Sequence, residues 1–263
     1  GVKPISTFDT TNHASKIAGE IRDFNPKDHM APKTAKRLGR FSQFALAAAR
    51  LALADAGLEM KAADPLRFGV FCGVAAGDYH EITASVNTYR NKGPGSANPF
   101  SVPKVLVNMA ASAVAVEFGL MGPNFDVTTA CASGAHSLGA ALDAIRLGRC
   151  DRALAGGSEA CLEAMVLDGY DSMRALSRRN DAPEKASRPF DRDRDGFVIA
   201  EGAGLLLLEA AELAEARGAR IYCELAGWGA SCDAYHIVAP HPEGLGAAAA
   251  ITAALADAGL NAA

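Results

Sequence analysis

The sequence predicts an α/β protein. Short apolar runs of strand length alternate with Ala-rich helical stretches along most of its 263 residues. Aromatic residues are only 6% of the chain, while alanine and glycine are abundant, which suits closely packed helix and sheet layers better than an aromatic-rich sandwich. The segment LADAGL occurs at Leu53–Leu58 and again at Leu255–Leu260, each time ending an Ala-rich helix. That repeat points to a fold built from two similar halves.

Taken in order, residues 1–36 are mixed and loop-like, with Pro4, Pro26 and Pro32. A helix is predicted from about Ser42 to Ala56, with Phe44, Leu46, Leu51 and Leu53 among alanines and Gly57 to close it. Phe68–Val74 reads as a buried strand, and Val102–Phe118 as one helix with Pro103 in its first turn. Asn124–Thr128 is a short strand. Ala132–Leu147 is a helix that stops at Gly148, with Arg146 complementing its dipole. Ala153–Gly156 is a buried strand and Glu159–Met173 a helix. Arg178–Asp195 is a polar surface loop. Gly204–Glu209 reads as a strand, Ala210–Arg217 as a helix, Ile221–Trp228 as a strand and Gly244–Ala258 as a last helix. Such alternation implies a mainly parallel sheet covered on both faces. By the offset of the repeat, the second counterpart of the strand holding Cys72 falls beyond Ala263, so a piece of the fold is expected to be missing.

Composition excludes several function classes. The net charge is −4, without the basic excess that a nucleic-acid partner asks for. No apolar run reaches the length of a membrane span, and residues 1–9 hold no apolar leader. Six cysteines occur without a CxxC pair or zinc spacing, which suits a reducing, cytoplasmic compartment with most of them as small core residues. Asp191–Gly204 mixes carboxylates, arginines and glycines. Its spacing is not that of a calcium loop, and it reads better as an internally paired charged turn. No metal and no cofactor is expected.

One stretch carries chemistry. In Val127–His136 (VTTACASGAH) a strand runs through small residues into a cysteine and then an Ala/Gly-rich helix. Cys131 would stand at a helix N-terminus, where unpaired N–H groups and the dipole favour a thiolate. Its own N–H could donate to a developing oxyanion. From spacing alone the core reading, Cys131 as one more small buried residue, comes ahead of the functional one. His136 lies five positions on, about 140° round a helix, and so does not face the thiol. A Cys131–His236–Asp233 triad can be drawn, but nothing in the sequence brings the three together.

At TTACASG, and in order along the rest of the chain, the sequence resembles the β-ketoacyl-[acyl-carrier-protein] synthase family, closest to its 3-oxoacyl synthase 2 branch. RFSQFALAAARLALADAGL, NPFSVPKVLVNMAA, GLMGPNFDVTTACASGAHSLGAALDAIRLGRCD, ALAGGSEA, RALSRRNDAPEKASRPFDRDRDGFVIAEGAG and ASCDAYH all carry the likeness. The resemblance implies a thiolase-like fold, layered α-β-α-β-α with pseudo-duplicated halves. Mainly the N-terminal half would be present: residues 1–209 without their first strand, and residues 210–263 as the start of the C-terminal half.

The resemblance also implies that Cys131 accepts an acyl chain from a phosphopantetheine-bearing acyl-carrier protein. Malonyl-carrier protein then loses CO2, and its carbanion attacks the thioester in fatty-acid elongation. The family's two catalytic histidines and lysine belong to the second half, and His236 and His241 do not match them. The 263-residue chain alone is therefore expected to be inactive. Lys33, Lys36, Arg37 and Arg40 form a basic run. In the family such a patch, with an arginine at the position of Arg174, is the docking site for the acidic carrier protein; a solvated helix start explains the run as well. Asn98–Val102 sits where family members meet a second subunit, so a homodimer is implied. A polyketide ketosynthase domain and a non-catalytic partner subunit are the alternatives.

Overall fold

A computed structural model describes residues 1–261. Ala262 and Ala263, the end of the expected second half, lie outside the described residues. The chain opens with a two-residue antiparallel pair, β1 (Lys3–Pro4) with β2 (Ile17–Ala18), and a single helical turn, α1 (Pro32–Ala35). Then follow α2 (Arg40–Asp55), β3 (Phe68–Gly73), α3 (Tyr79–Lys92), α4 (Ser101–Val105), α5 (Met109–Phe118) and β4 (Asn124–Asp126). The rest comprises α6 (Ser133–Arg146), β5 (Arg152–Glu159), α7 (Ala164–Ser172), β6 (Gly202–Glu209), α8 (Ala211–Ala216) and α9 (Leu245–Asp257).

The main sheet has the order β4-β3-β5-β6. β4 and β5 run parallel to β3, but β6 is antiparallel to β5. The sheet is therefore mixed, because β6 returns along β5 after the long loop that precedes it. Strand alternation sorts its two faces. Phe68, Val70 and Cys72 of β3 and Leu154 of β5 pack against Phe41, Phe44, Ala45 and Ala49 of α2 and Ala110, Ala111 and Val114 of α5. The opposite face offers Phe71 with Ala153 and Ala155, and there α6 lies through Ala141 and Ala144. Both faces of the sheet are thus covered by helices, α2 and α5 on one and α6 on the other.

α2 forms where alanines and a periodic apolar face coincide, and it stops at Gly57, whose φ is 57°. Leu58 N–H donates back to Leu53 C=O at 3.4 Å. The second LADAGL ends α9 in the same way: Gly259 has φ 67°, and Leu260 N–H donates to Leu255 C=O at 2.8 Å. Leu51, expected on the apolar face of α2, is instead exposed.

Three sequence expectations change. Val102–Phe118 is two helices, because Leu106 is extended (ψ 120°) and Asn108 starts α5 afresh. Ile221–Trp228 makes no strand ladder among the described residues, and Cys223 within it and Cys232 just beyond it are exposed rather than core. α3 was not foreseen: it buries none of its residues, so its apolar positions carry little period. Among the described residues no helix is long and apolar enough to cross a membrane.

At its first turn α6 meets the sheet backbone to backbone. A Cβ on Gly73 would fall 2.6 Å from Gly134 N, and one on Gly157 would fall 3.2 Å from Gly134 Cα. Gly73→Ala must push α6 off the sheet end. It is expected to cost about 1–3 kcal/mol of unfolding free energy in urea titration. An unchanged midpoint would show that the contact is not close.

Candidate active site

β4 leaves the sheet at Asp126. Val127 N–H still donates to Cys72 C=O at 3.3 Å, and then the chain departs. The Thr128 hydroxyl lies 2.7 Å from Asp126 Oδ1 and 3.0 Å from Val74 C=O. Ala130 has φ 49°, a left-handed conformation that costs an alanine about 1–2 kcal/mol. A 3-10 turn over Ala130–Ala132 then feeds directly into α6.

One hydroxyl holds both sides of this kink. Buried Ser133 Oγ accepts the Thr129 N–H at 2.9 Å and donates to Ala130 C=O at 2.7 Å. His136, one turn further along α6, adds a second tie: its Nδ1 lies 2.8 Å from Thr129 Oγ1. It does not serve the thiol, as its angle round the helix indicated, but it braces the loop that bears it. The His136 ring is in turn edge-on to Trp228, whose indole N–H donates to Asp143 Oδ1 at 3.1 Å.

Cys131 is exposed on this turn, just ahead of the positive end of α6. Its N–H donates to no protein acceptor among the described residues, and so is available to an incoming oxyanion. The other thiols on the sheet side differ. Burial pushes Cys72 up to about 12 and Cys161 up to about 11, and it also raises Cys150. Burial raises the Tyr170 phenol too, with Cys161 and Cys131 adding to the rise, which sets α7 beside the site.

Beneath the turn, Glu159 at the end of β5 accepts N–H groups from Ala75 (3.0 Å), Ala76 (2.8 Å) and Gly77 (3.1 Å). Neither this cage nor the left-handed Ala130 was legible from residue types. The GGSEA segment was the only signal for Glu159.

The drawn triad does not assemble. His236 Nδ1 accepts N–H groups of Val238 and Ala239 in its own loop, and Asp233 accepts the His241 N–H. The Asp191–Gly204 loop is paired only in part within itself: Arg194 bonds Asp191 C=O at 2.8 Å, whereas Asp195 bonds Arg188 just before the loop at 3.0 Å and Glu201 bonds the distant Arg40. Among the described residues no cluster of His, Cys, Asp or Glu is placed to hold a metal ion.

Lys33 and Lys36 are exposed on α1 and just after it. Arg37 is exposed over the Phe100 ring, 5.0 Å from its centre. Arg40 leaves the expected basic run. It forms a two-point ion pair with buried Glu201, at 2.9 and 2.7 Å, because the segment before β6 folds back across the start of α2. Arg174 is exposed and lines a cavity of about 820 Å³ with Arg188, Arg194, Phe190 and Phe197. No hydrogen bond or ion pair among the described residues joins Arg174 to the α1 cations.

Ser133→Ala should release the Thr129 N–H and the Ala130 carbonyl together, lowering unfolding free energy by about 1–3 kcal/mol. It should also slow iodoacetamide alkylation of Cys131, read by peptide mass spectrometry. Unchanged stability would mean that the hydroxyl does not hold the kink.

Residues 2–214 match the Beta-ketoacyl synthase, N-terminal domain, and residues 222–263 match the Beta-ketoacyl synthase, C-terminal domain. The chain is 42% identical over 261 residues to 3-oxoacyl-[acyl-carrier-protein] synthase 2 of Vibrio cholerae, covering 99% of this chain and 63% of that protein. A β-ketoacyl synthase structure from Burkholderia phymatum superposes with a TM-score of 0.89 at 33% identity, covering 98% of this chain and 63% of that one. A type II polyketide ketosynthase, solved in complex with its acyl-carrier protein, superposes with a TM-score of 0.88 at 32% identity, covering 99% and 63%. The chain thus spans about 63% of the length of the relatives it matches. The α/β layering around the sheet and α6 is the thiolase-like arrangement of these ketosynthases, and with its N-terminal family domain matched over residues 2–214 the chain belongs to the β-ketoacyl synthase family.

Proposed function

We propose that the whole protein is a 3-oxoacyl-[acyl-carrier-protein] synthase and that this chain supplies its acyl-accepting cysteine. The observation that carries the reading is one exposed sulfur, Cys131, on a kinked turn ahead of α6. Its thiolate attacks the carbonyl of an acyl thioester on the carrier protein. Charge builds on the carbonyl oxygen, where the free N–H of Cys131 can receive it. The tetrahedral adduct collapses, the pantetheine thiolate leaves, and the acyl group stays on Sγ. Malonyl-carrier protein then loses CO2. Its carbanion attacks the acyl-enzyme carbonyl, the Cys131 thiolate is expelled, and a 3-oxoacyl chain two carbons longer departs.

Arg174 fits a carrier-protein contact, since it is exposed at a cavity with further arginines and two phenylalanines. Lys33, Lys36 and Arg37 extend the same positive sign elsewhere on the surface. Our division of the chain after Glu209 is supported by the end of β6 there. Association as a homodimer through the Asn98–Val102 region is supported by Val102, which stands 62% exposed. A cytoplasmic site suits six free cysteines. A polyketide ketosynthase is the second reading, favoured by the likeness to the polyketide structure in complex with its carrier protein. A non-catalytic partner role sits poorly with an exposed Cys131.

Incubation with an acyl-carrier-protein thioester should leave the acyl mass on Cys131. Cys131→Ser should abolish the adduct and leave the melting temperature almost unchanged. Label on Cys72 or Cys161 instead would overturn the assignment. Arg174→Glu combined with Lys36→Glu should slow loading from the carrier protein and flatten its salt dependence, yet spare loading from a small acyl thioester. Equal slowing with both donors would remove these residues from docking.

A further inference from the structure

A half-buried carboxylate under the turn that bears Cys131 has no role in the chemistry described above. Asp126 ends β4 and stands in register with Cys72 on β3. Its Oδ1 accepts the Thr128 hydroxyl at 2.7 Å, while its Oδ2 is buried with no hydrogen-bond partner within 3.5 Å among the described residues; the Val74 main chain lies near enough to favour the charged form. No cation pairs with Asp126 among the described residues. The ionisable groups that face it are the Cys72 thiol on β3 and the Glu159 carboxylate on β5. Glu159 is held differently, by the N–H groups of Ala75, Ala76, Gly77 and Ala160, although burial raises it too.

The Thr128 hydroxyl has one proton and two acceptors, Asp126 Oδ1 and Val74 C=O. An ionised carboxylate is much the stronger acceptor and takes it. A neutral carboxyl competes poorly, and the proton then turns to the Val74 carbonyl. Thr128 is three residues before Cys131, with the left-handed Ala130 between them. A shift of its tie therefore acts on the most strained part of the loop.

We propose that Asp126 is a positioning residue for Cys131: its ionised carboxylate holds Thr128 and with it the turn that presents the sulfur, and taking up a proton releases that hold. The proposal rests on Cys131 being the acyl acceptor. Burial, with a further contribution from the Glu159 charge, pushes Asp126 up to about 6. The release thus falls within an accessible pH range. A carboxyl raised above its unfolded value binds more protons in the folded chain. Its contribution to stability is therefore present at low pH and is lost as pH rises through about 6. The carboxylate that positions the loop is thus one that destabilises the fold when ionised.

The test is the rate of Cys131 alkylation by iodoacetamide in the full 263-residue chain, resolved by peptide mass spectrometry between about pH 4.5 and 8.5. Beyond the steady rise that any thiol shows, the parent chain should show a step near pH 6. Its size should be about three- to tenfold, the factor that one net hydrogen bond supplies. Asp126→Asn should stay on the low-pH branch throughout, and Thr128→Val should lack the step. Asp126→Asn should also melt higher than the parent at pH 7.5, with the difference closing in acid. No step in the parent, a step retained in either variant, or an Asn variant less stable at both pH values would overturn the proposal. Acyl loading is scored separately. A failure to load Cys131 with the step intact defeats the functional reading, whereas loading without a step defeats only the role of Asp126.

Discussion

How close a helix can come to the end of a sheet decides the rest of this structure. α6 reaches the ends of β3 and β5 through Gly73, Gly134 and Gly157, with no side chain between the backbones. The connection from β4 into α6 is short, running from Val127 to Ala132. The chain turns through a left-handed alanine and a 3-10 turn, and Ser133 Oγ closes the kink from beneath. Strain of this kind persists only where the surroundings over-determine it. Here two hydrogen bonds from a buried hydroxyl and a glycine-lined contact do so. The outcome is a sulfur that faces solvent while its neighbours on the sheet are buried.

The electrostatic arrangement follows from the same geometry. The C-terminal ends of β3, β4 and β5 lie together under the turn, so the carboxylates that end β4 and β5, Asp126 and Glu159, are brought beneath it too. Glu159 is satisfied by main-chain N–H groups of the segment after β3, which fixes that segment against the sheet. Asp126 is only half satisfied, and burial raises it. Above them the N-terminus of α6 supplies the opposite sign. The exposed sulfur of Cys131, the N-terminus of α6 and the half-buried carboxylates of Asp126 and Glu159 thus gather at one end of the sheet, with α2 and α5 packed on its far face.

Much of the fold was legible because its signals are local. Alanines with a terminal glycine marked α2 and α9, an uninterrupted apolar run marked β3, and TTACASG marked the turn before α6. What escaped depends on partners distant in sequence. The pairing of Arg40 with Glu201 spans 161 positions, so a basic run seen in sequence loses one member in space. The break at Leu106 is one extended residue in an otherwise helical pattern. Ile221–Trp228 has strand composition but no neighbour to pair with among the described residues. At the site, the cysteine was visible while its support was not. Nothing about alanine announces a positive φ, and nothing about Asp126 announces an orphaned oxygen.

The account stands on Ala130 being held left-handed, and the unfolding free energy of Ala130→Gly tests that most directly. Glycine removes the Cβ penalty of about 1–2 kcal/mol at positive φ, offset by its own unfolded-chain entropy of about 0.5–1 kcal/mol. The variant should therefore match the parent or exceed it by up to about 1.5 kcal/mol in urea titration. A loss of about 1 kcal/mol, the usual result of Ala→Gly in right-handed backbone, would contradict the strained turn.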